Sequence, residues 1–428
     1  MRTFSSLILA SLLSLFFADR VLAQWVQTSL DSCDVLCFAV SGSNLFAGTG
    51  QDGVFRSTDN GISWAKANTG LTGTSVIALA VSDTNLFAGT YTYGVFRSTN
   101  SGASWMAAGS GQTYSDVYAL AIKHNDAGGT DLFAATAAGN GYGVYLSTNN
   151  GANWTNVSDG LTTTCVSPTC WPYTLVLEGS NLFAGTVGRG VFLSTNNGAN
   201  WKTVNTGLPN TGAGVLAVNG ANIYAGAWGD SGGVFLSSNN GTSWTNISNG
   251  LTNRHIGALA VYGTNLFAGT GGGGVFLSTD NGTTWAEVST GLKSTWATAL
   301  AVSGTNLFVG MTRFDTIPGG VWRRPLSEMV TSVGGPLRDV PARFGLDQNY
   351  PNPYNPNTTI SYSLPQKSFV TLKLYDLLGR EVRTLVNSEQ EPGNYTRIVE
   401  ANDLPSGVYF YRLQAGKFTD IKKMLLIR

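Results

Sequence analysis

Charge and titratable chemistry are scarce in this chain. Only 12% of its 428 residues are charged, there are two histidines and four cysteines, and 25 Lys and Arg balance 25 Asp and Glu. Each shortage excludes something. Without a basic excess the chain lacks the electrostatic footprint of a nucleic-acid binder. His124 and His255 lie far in sequence from every cysteine, so a zinc centre is a poor assignment and no metal or cofactor is expected. Past the N-terminal segment no run of about 20 apolar residues occurs, and no membrane-spanning helix is predicted. What the chain has in quantity is glycine, 54 residues, and aromatic side chains, 11%.

The glycines and aromatics recur in order. The phrase Asn44-Leu45-Phe46-Ala47-Gly48-Thr49 returns in versions beginning at Asn85, Asp131, Asn181, Asn222, Asn265 and Asn306, spaced 41, 46, 50, 41, 43 and 41 residues apart. A period of this length, built from short apolar strands and Gly-rich turns, is that of propeller blades. Within one period the reading is four strands. The Ala-Leu-Ala-Val run (Ala78 to Val81) comes first, the Leu-Phe-Ala-Gly phrase second and Gly-Val-Phe third. The fourth begins at a tryptophan. The first two are apolar throughout, as strands covered on both faces must be.

Ahead of that tryptophan stands Ser-x-Asp/Asn-x-Gly-x-x-Trp, in six copies carrying Asp59 and Trp64, Asn100 and Trp105, Asn149 and Trp154, Asn196 and Trp201, Asn239 and Trp244, and Asp280 and Trp285. The motif resembles the Asp-box of sialidase-type (BNR) propellers. The resemblance implies a structural corner and no catalytic role: the Asp or Asn accepts bonds from the turn's own N–H groups, and the Trp buries its ring between blades. Seven phrases with six boxes leave the last blade short. Trp25 to Leu30 resembles the stretch from Trp64 to Leu71, so residues near 25–29 are predicted to supply its outer strand. The expected fold is all-β: a seven-bladed propeller closed by its N-terminal strand and leaving no open edge, followed by a small Ig-like β-sandwich.

The ends of the chain speak to export. Residues 1–23 read as a signal peptide, with Arg2, an apolar core from Leu7 to Phe17 and a Val21-Leu22-Ala23 cleavage site. The propeller is assigned to 24–325 and a linker to 326–343. From 344 to 428 the repeat gives way to Asn349-Tyr350-Pro351-Asn352-Pro353-Tyr354, Gly379-Arg380-Glu381-Val382, Gly407-Val408-Tyr409 and a terminal Lys422-Lys423-Met424-Leu425-Leu426. This stretch resembles the type A C-terminal sorting domain of the type IX secretion system. The resemblance implies the secretion machinery as partner, passage through the periplasm, and a final place on the outer-membrane surface or outside the cell. Residues 24–330 carry eleven Lys and Arg against fifteen Asp and Glu, while 331–428 carry twelve against nine.

In an exported protein two disulfides are expected, Cys165 with Cys170 and Cys33 with Cys37. The second needs a bend near Asp34, because an extended segment would hold the two Cα atoms about 13 Å apart, beyond disulfide reach.

Where the copies agree they are scaffold, so candidate ligand contacts are sought where they disagree. The loops between strands two and three offer Tyr91, Tyr93, Tyr142, Arg189, Trp228, Asp230, Arg313 and Asp315. Those entering the next blade offer Trp171, Tyr173, Arg254 with His255, and Trp296. Aromatic platforms beside Arg and carboxylates suit a sugar or a peptide. Two readings stand: a non-catalytic glycan- or protein-binding propeller, and a glycoside hydrolase, sialidase- or xyloglucanase-like, on the same face. The sialidase version lacks the Arg-Ile-Pro motif, and the propeller's glutamates, Glu178, Glu287 and Glu328, are not placed as a retaining pair. Xyloglucanases of this type use two facing propellers, and an inverting pair drawn from Asp52, Asp116, Asp230 and Asp315 is the version that stays open. The run Gly269 to Gly274 reads as a hairpin, since no helix follows it.

Overall fold

The structure is a computed structural model. It describes residues 24–82, 85–109, 116–124, 130–137, 142–161, 171–209, 212–229, 231–330, 344–349, 352–355, 357–390, 393–400 and 404–427. The signal-peptide segment, Cys165, Cys170, Asp230 and residues 331–343 of the linker assignment lie outside these. Contacts divide the described residues into two compact units, one before and one after residue 331.

The first unit contains seven four-stranded antiparallel sheets among its described residues. Blade one is Val35–Ser41, Asn44–Thr49, Val54–Ser57 and Ala65–Lys66, and blades two to six repeat that order from Val76, Val117, Pro172, Ala213 and Ile256. Blade seven runs Ala297–Ser303, Asn306–Met311 and Gly320–Pro325, and its outer strand is Val26–Gln27, pairing with Arg323 and Trp322. The first strands lie beside one another all the way round, with that of blade seven against that of blade one. The ring is therefore closed, by the N-terminal strand as the Trp25 stretch predicts.

Small residues let the blades approach. The glycine ending each Leu-Phe-Ala-Gly phrase sits on the first strand of the next blade. A Cβ on Gly48 would stand 2.9 Å from the Val76 carbonyl oxygen, and one on Gly185 would stand 2.3 Å from that of Ala213. The tryptophans fasten the same joints. The Nε1–H groups of Trp105, Trp154, Trp201, Trp244 and Trp285 donate to the Ala67, Ala108, Val157, Val204 and Ile247 carbonyls of the preceding blade, at 2.6–3.1 Å. Trp25 makes the same bond to Val288, at 2.7 Å.

The six corner hairpins share one geometry. The serine hydroxyl donates to the Asp or Asn Oδ1 and accepts from the glycine N–H, and Oδ1 also accepts an N–H four residues on, as at Ser57, Asp59, Gly61 and Ser63. The corner's second residue takes a left-handed φ in every copy, 58° at Asn60 and 53° at Asn240, and glycine follows it. Asn149 and Asn196 hold this arrangement as Asp59 does, so the Asp-to-Asn exchange leaves the turn intact.

Cys33 and Cys37 carry free thiols, which corrects the expectation of a bridge between them. Val35 pairs with Thr49 and Cys37 with Gly48, so the segment is committed to the strand and cannot make the required bend. The Cys33 thiol donates to Asp52 Oδ2 and that of Cys37 points at the Val76 carbonyl.

The second unit is a small β-sandwich. One sheet joins Gly345–Leu346, Asn357–Leu364 and Gly393–Glu400; the other runs Glu381–Gln390, Ser368–Tyr375, Gly407–Ala415 and Phe418–Leu426. Alternate residues, among them Ile360, Leu372, Leu413 and Met424, fill the space between them. The segment opening this unit clasps its last strand. Asn352 Oδ1 accepts from the Leu425 N–H, and Gln348 Nε2 donates to the Lys423 carbonyl. The buried Tyr411 hydroxyl donates to the Asp347 carbonyl and accepts from the Asn349 N–H, each at 2.7 Å.

Candidate functional site

Each blade's first strand begins with a bulge. The pairing skips one residue between Val35 and Cys37, and likewise in the other six blades. A bulge re-aims the side chain it frees. The seven skipped residues are Leu36, Ile77, Tyr118, Tyr173, Gly214, Gly257 and Thr298, and all seven line one cavity of about 330 Å³ on the propeller axis. The bulges lie at the end of the blade where strand two turns into strand three, because Val35 faces Thr49. The cavity therefore opens on the face whose loops differ from copy to copy.

The seven positions are not equivalent. Leu36 and Ile77 give an aliphatic wall, Tyr118 and Tyr173 an aromatic one, and Gly214 and Gly257 leave room that neighbouring side chains occupy. Trp228 lies over Gly214, where a Cβ would meet its Cζ2 at 2.2 Å. Its Nε1–H donates to the Ile256 carbonyl at 2.8 Å, so the indole is held from its edge and its bottom. Gly271, in the glycine run that the sequence reads as a hairpin, backs both His255 and Trp296, and its N–H donates to the His255 carbonyl.

The result is an unbroken arc of rings. Centroids are 4.9 Å apart for Tyr118 and Tyr173, 5.2 Å for Tyr173 and Trp228, 5.9 Å for Trp228 and His255, and 6.4 Å for His255 and Trp296. Trp296 stacks on Phe314 at 5.2 Å and 14°. The arc spans blades three to seven. Burial, with the nearby Asp116 charge adding to it, pushes the Tyr118 hydroxyl up to about 12, and burial also raises that of Tyr173. Both phenols stay protonated at neutral pH and present a neutral hydroxyl, not a phenolate nucleophile.

Of the residues named from the sequence, Tyr173, Trp228 and Trp296 meet in this arc. Tyr91 stands close enough to Tyr118 to influence its acidity and is half exposed. Arg313 and Asp315 sit where the last blade meets the first. The Arg313 N–H donates to Asp34 and its guanidinium reaches the Ser32 carbonyl, while Asp315, φ 53°, forms the tip of the Phe314–Ile317 turn. Tyr93, Tyr142, Trp171, Arg189 and Arg254 do not line the cavity. Exposed Arg189 is anchored through its backbone, its N–H donating to Thr186 and its carbonyl accepting from Asn205. Tyr118 and Phe314 escaped the sequence reading. Tyr118 had a usable signal: its column of the first strand changes in chemical character, from Leu and Ile to Tyr, Gly and Thr, while the Leu-Ala-Val run that follows changes little.

Among the described residues, none that lines the cavity is Asp or Glu. Two of the described acidic groups nearby are engaged elsewhere. Asp52 pairs with Lys66 at 2.9 Å, and that bond, with the Cys33 thiol, holds its carboxyl below the usual range. Asp116 is buried and accepts the Thr92 N–H at 2.9 Å. Among the described residues, every carboxylate whose acidity departs from the ordinary value departs downward, Asp59, Asp280, Asp376 and Glu381 included. A glycosidase's general acid requires the opposite.

Residues 348–427 match the family described as "Secretion system C-terminal sorting domain". The chain thus couples a β-propeller to a type IX sorting tail, and that tail marks it for export to the outer-membrane surface or the extracellular space. No helix among the described residues is long and apolar enough to cross a membrane. No curated protein matches the chain. Among solved structures it is similar to the GH74 enzyme of Niastella koreensis, at 19% identity and TM-score 0.51 over 71% of this chain and 44% of that one. It is also similar to PorZ, an essential surface component of the type IX secretion system of Porphyromonas gingivalis, at 15% and 0.51 over 94% and 61%. YCF48 bound to D1 peptide aligns at 13% and 0.54 over 72% and 98%. At these identities the likeness shows the fold alone. The chain spans 44% of the GH74 enzyme's length and 61% of PorZ's.

Proposed function

We propose that the propeller of this exported chain is a non-catalytic binding module that takes a glycan or a protein segment at the mouth of its axial funnel. The observation that carries the reading is the aromatic arc from Tyr118 to Phe314, with Trp228 seated on Gly214 and tied to the Ile256 carbonyl. Flat faces fixed in advance bind at low entropic cost, and few groups other than sugars and peptide side chains match a curved row of them. The hydrolase alternative borrows its appeal from the fold shared with a GH74 enzyme. It needs two carboxylates about 5–10 Å apart around a substrate, and the described residues of the funnel lining supply none.

The corner hairpins fit the Asp-box in role as well as in sequence: they staple strands three and four and seat the tryptophans between blades. The division at 24–325, 326–343 and 344–428 belongs to the same reading, with the last segment engaged by the secretion machinery. Screening the purified chain on glycan and peptide arrays, then incubating each hit and weighing it, tests the proposal. Intact ligand bound by the native chain and not by a Trp228→Ala, Trp296→Ala variant is expected. A cleaved glycan would overturn it.

A further inference from the structure

The funnel treats polar groups unequally on its two sides, and this bears on what enters it. Toward blades one and two the wall is Leu36 and Ile77, which offer no hydrogen bond. The Thr298 hydroxyl is directed at the carbonyls of Val35 and Gly310, at 2.7 and 3.2 Å, and the Trp228 indole N–H is spent on Ile256. The phenols of Tyr118 and Tyr173 belong to the aromatic arc, which starts in blade three beside Ile77 and runs round to blade seven. A sugar ring carries hydroxyls around its whole circumference, and each one turned to the aliphatic wall would lose water without gaining a partner. An apolar side chain has no such requirement. Between Leu36 and Ile77 on one side and Trp228 on the other it is covered on both faces, and the phenols remain for the amide groups that flank it. The cavity, at about 330 Å³, lies at the small end of ligand sites and has room for a large side chain.

We infer that the ligand is a polypeptide segment that inserts one apolar or aromatic side chain into the funnel. This rests on the proposed binding role of the mouth. Gly214 is then a positioning residue: its lack of a Cβ is what allows Trp228 to form one side of the slot.

The test is an NMR titration of the intact 15N-labelled chain, reading the indole signals of Trp228 and Trp296. The probes are N-acetyl-L-tryptophanamide, as a capped apolar side chain, and cellohexaose and chitohexaose. The inference expects saturable shifts with the amide, at a Kd on the order of 1 mM for so small a probe, and none with either oligosaccharide. Ile77→Asn, which puts an amide in the aliphatic wall, should weaken the capped tryptophan about tenfold or more. Gly214→Ala, which must displace the Trp228 ring, should do the same, and keeps the test available if one variant does not fold. Shifts from an oligosaccharide and none from the amide would overturn the inference and leave the binding role standing. Silence from all three probes would overturn both. Amide binding indifferent to Ile77→Asn and Gly214→Ala would also sink the inference.

Discussion

Ring closure rests on one side chain more than on any other. Trp25 is 3% exposed, packs beside Trp322 and Leu326, and donates its indole N–H to the Val288 carbonyl of blade six. Val26 and Gln27 add only two ladder positions, so the strand is held chiefly by the ring that precedes it. A buried tryptophan removes ~200 Å² from water, about 5 kcal/mol at ~25 cal/mol per Å². Truncations of this kind in cores cost roughly 3–5 kcal/mol, lost hydrogen bond included. Taking about 4 kcal/mol, and an unfolding entropy near 2.1 cal/mol/K per residue over roughly 300 residues, Trp25→Ala should lower Tm by about 6 °C. Trp25→Phe keeps most of the packing and loses the bond, so about 2 °C is expected. Deleting residues 24–30 also exposes the Gly320–Pro325 edge and should exceed the alanine effect. Differential scanning calorimetry of the exported chain reads all three. An unchanged Tm for Trp25→Ala would refute the argument that the N-terminal strand closes the ring.

Other joints can be probed in the same way. Gly185→Ala places a Cβ 2.3 Å from the Ala213 carbonyl oxygen and should destabilise by about 1–3 kcal/mol, whereas blade three already carries Ala135 at that position; chemical denaturation checks this. Asp59 is held at about 2 by its bonds from Ser63 and Ser57, and Asp280 is lowered by those from Thr284 and Ser278. Lowered carboxylates contribute stability that is present above their unfolded value of about 4 and lost as pH falls through the folded one. Asp59→Asn with Asp280→Asn should therefore flatten the fall in Tm between about pH 4 and pH 2, at the cost of a small drop in Tm at pH 7 where the ionised carboxylates contribute. Burial pushes the Cys37 thiol up to about 12, and burial with Asp52 raises that of Cys33 to about 11; peptide mapping should find both unalkylated in the native chain at pH 8 and both free after denaturation. Tyr411→Phe removes both bonds of a buried hydroxyl, the one accepted from the Asn349 N–H and the one donated to the carbonyl of exposed Asp347, and should cost about 1–3 kcal/mol in urea unfolding.

The blade count and the closing strand were legible because both are written in large, repeated residues. Each Leu-Phe-Ala-Gly phrase fixes a strand, each Trp fixes a joint, and Trp25 announces itself as the seventh of its kind. The variable face was legible for a related reason: copies diverge most where the scaffold does not need them. The floor of the funnel was not. Tyr118 lies inside a strand whose apolar run reads as core, and only the bulge, one skipped pairing beyond the reach of periodicity, turns it to the axis. Phe314 was hidden because its stacking on Trp296 joins a loop of blade seven to the entry of the same blade, a contact set by turn geometry. The Cys33–Cys37 pair misled because nearness in sequence looks like nearness in space, while the strand pairing of Val35 and Cys37 keeps the segment from turning back.

The central claim is that the aromatic mouth binds without turning over what it binds. Isothermal titration of the best array ligand into the native chain and into Trp228→Ala, Trp296→Ala, with the ligand weighed afterward, addresses it directly. The account predicts at least a tenfold loss of affinity in the variant, roughly the 1.4 kcal/mol or more expected when two buried aromatic contacts are removed, and a ligand of unchanged mass. Equal affinity in the two proteins, or a ligand recovered in pieces, would contradict it.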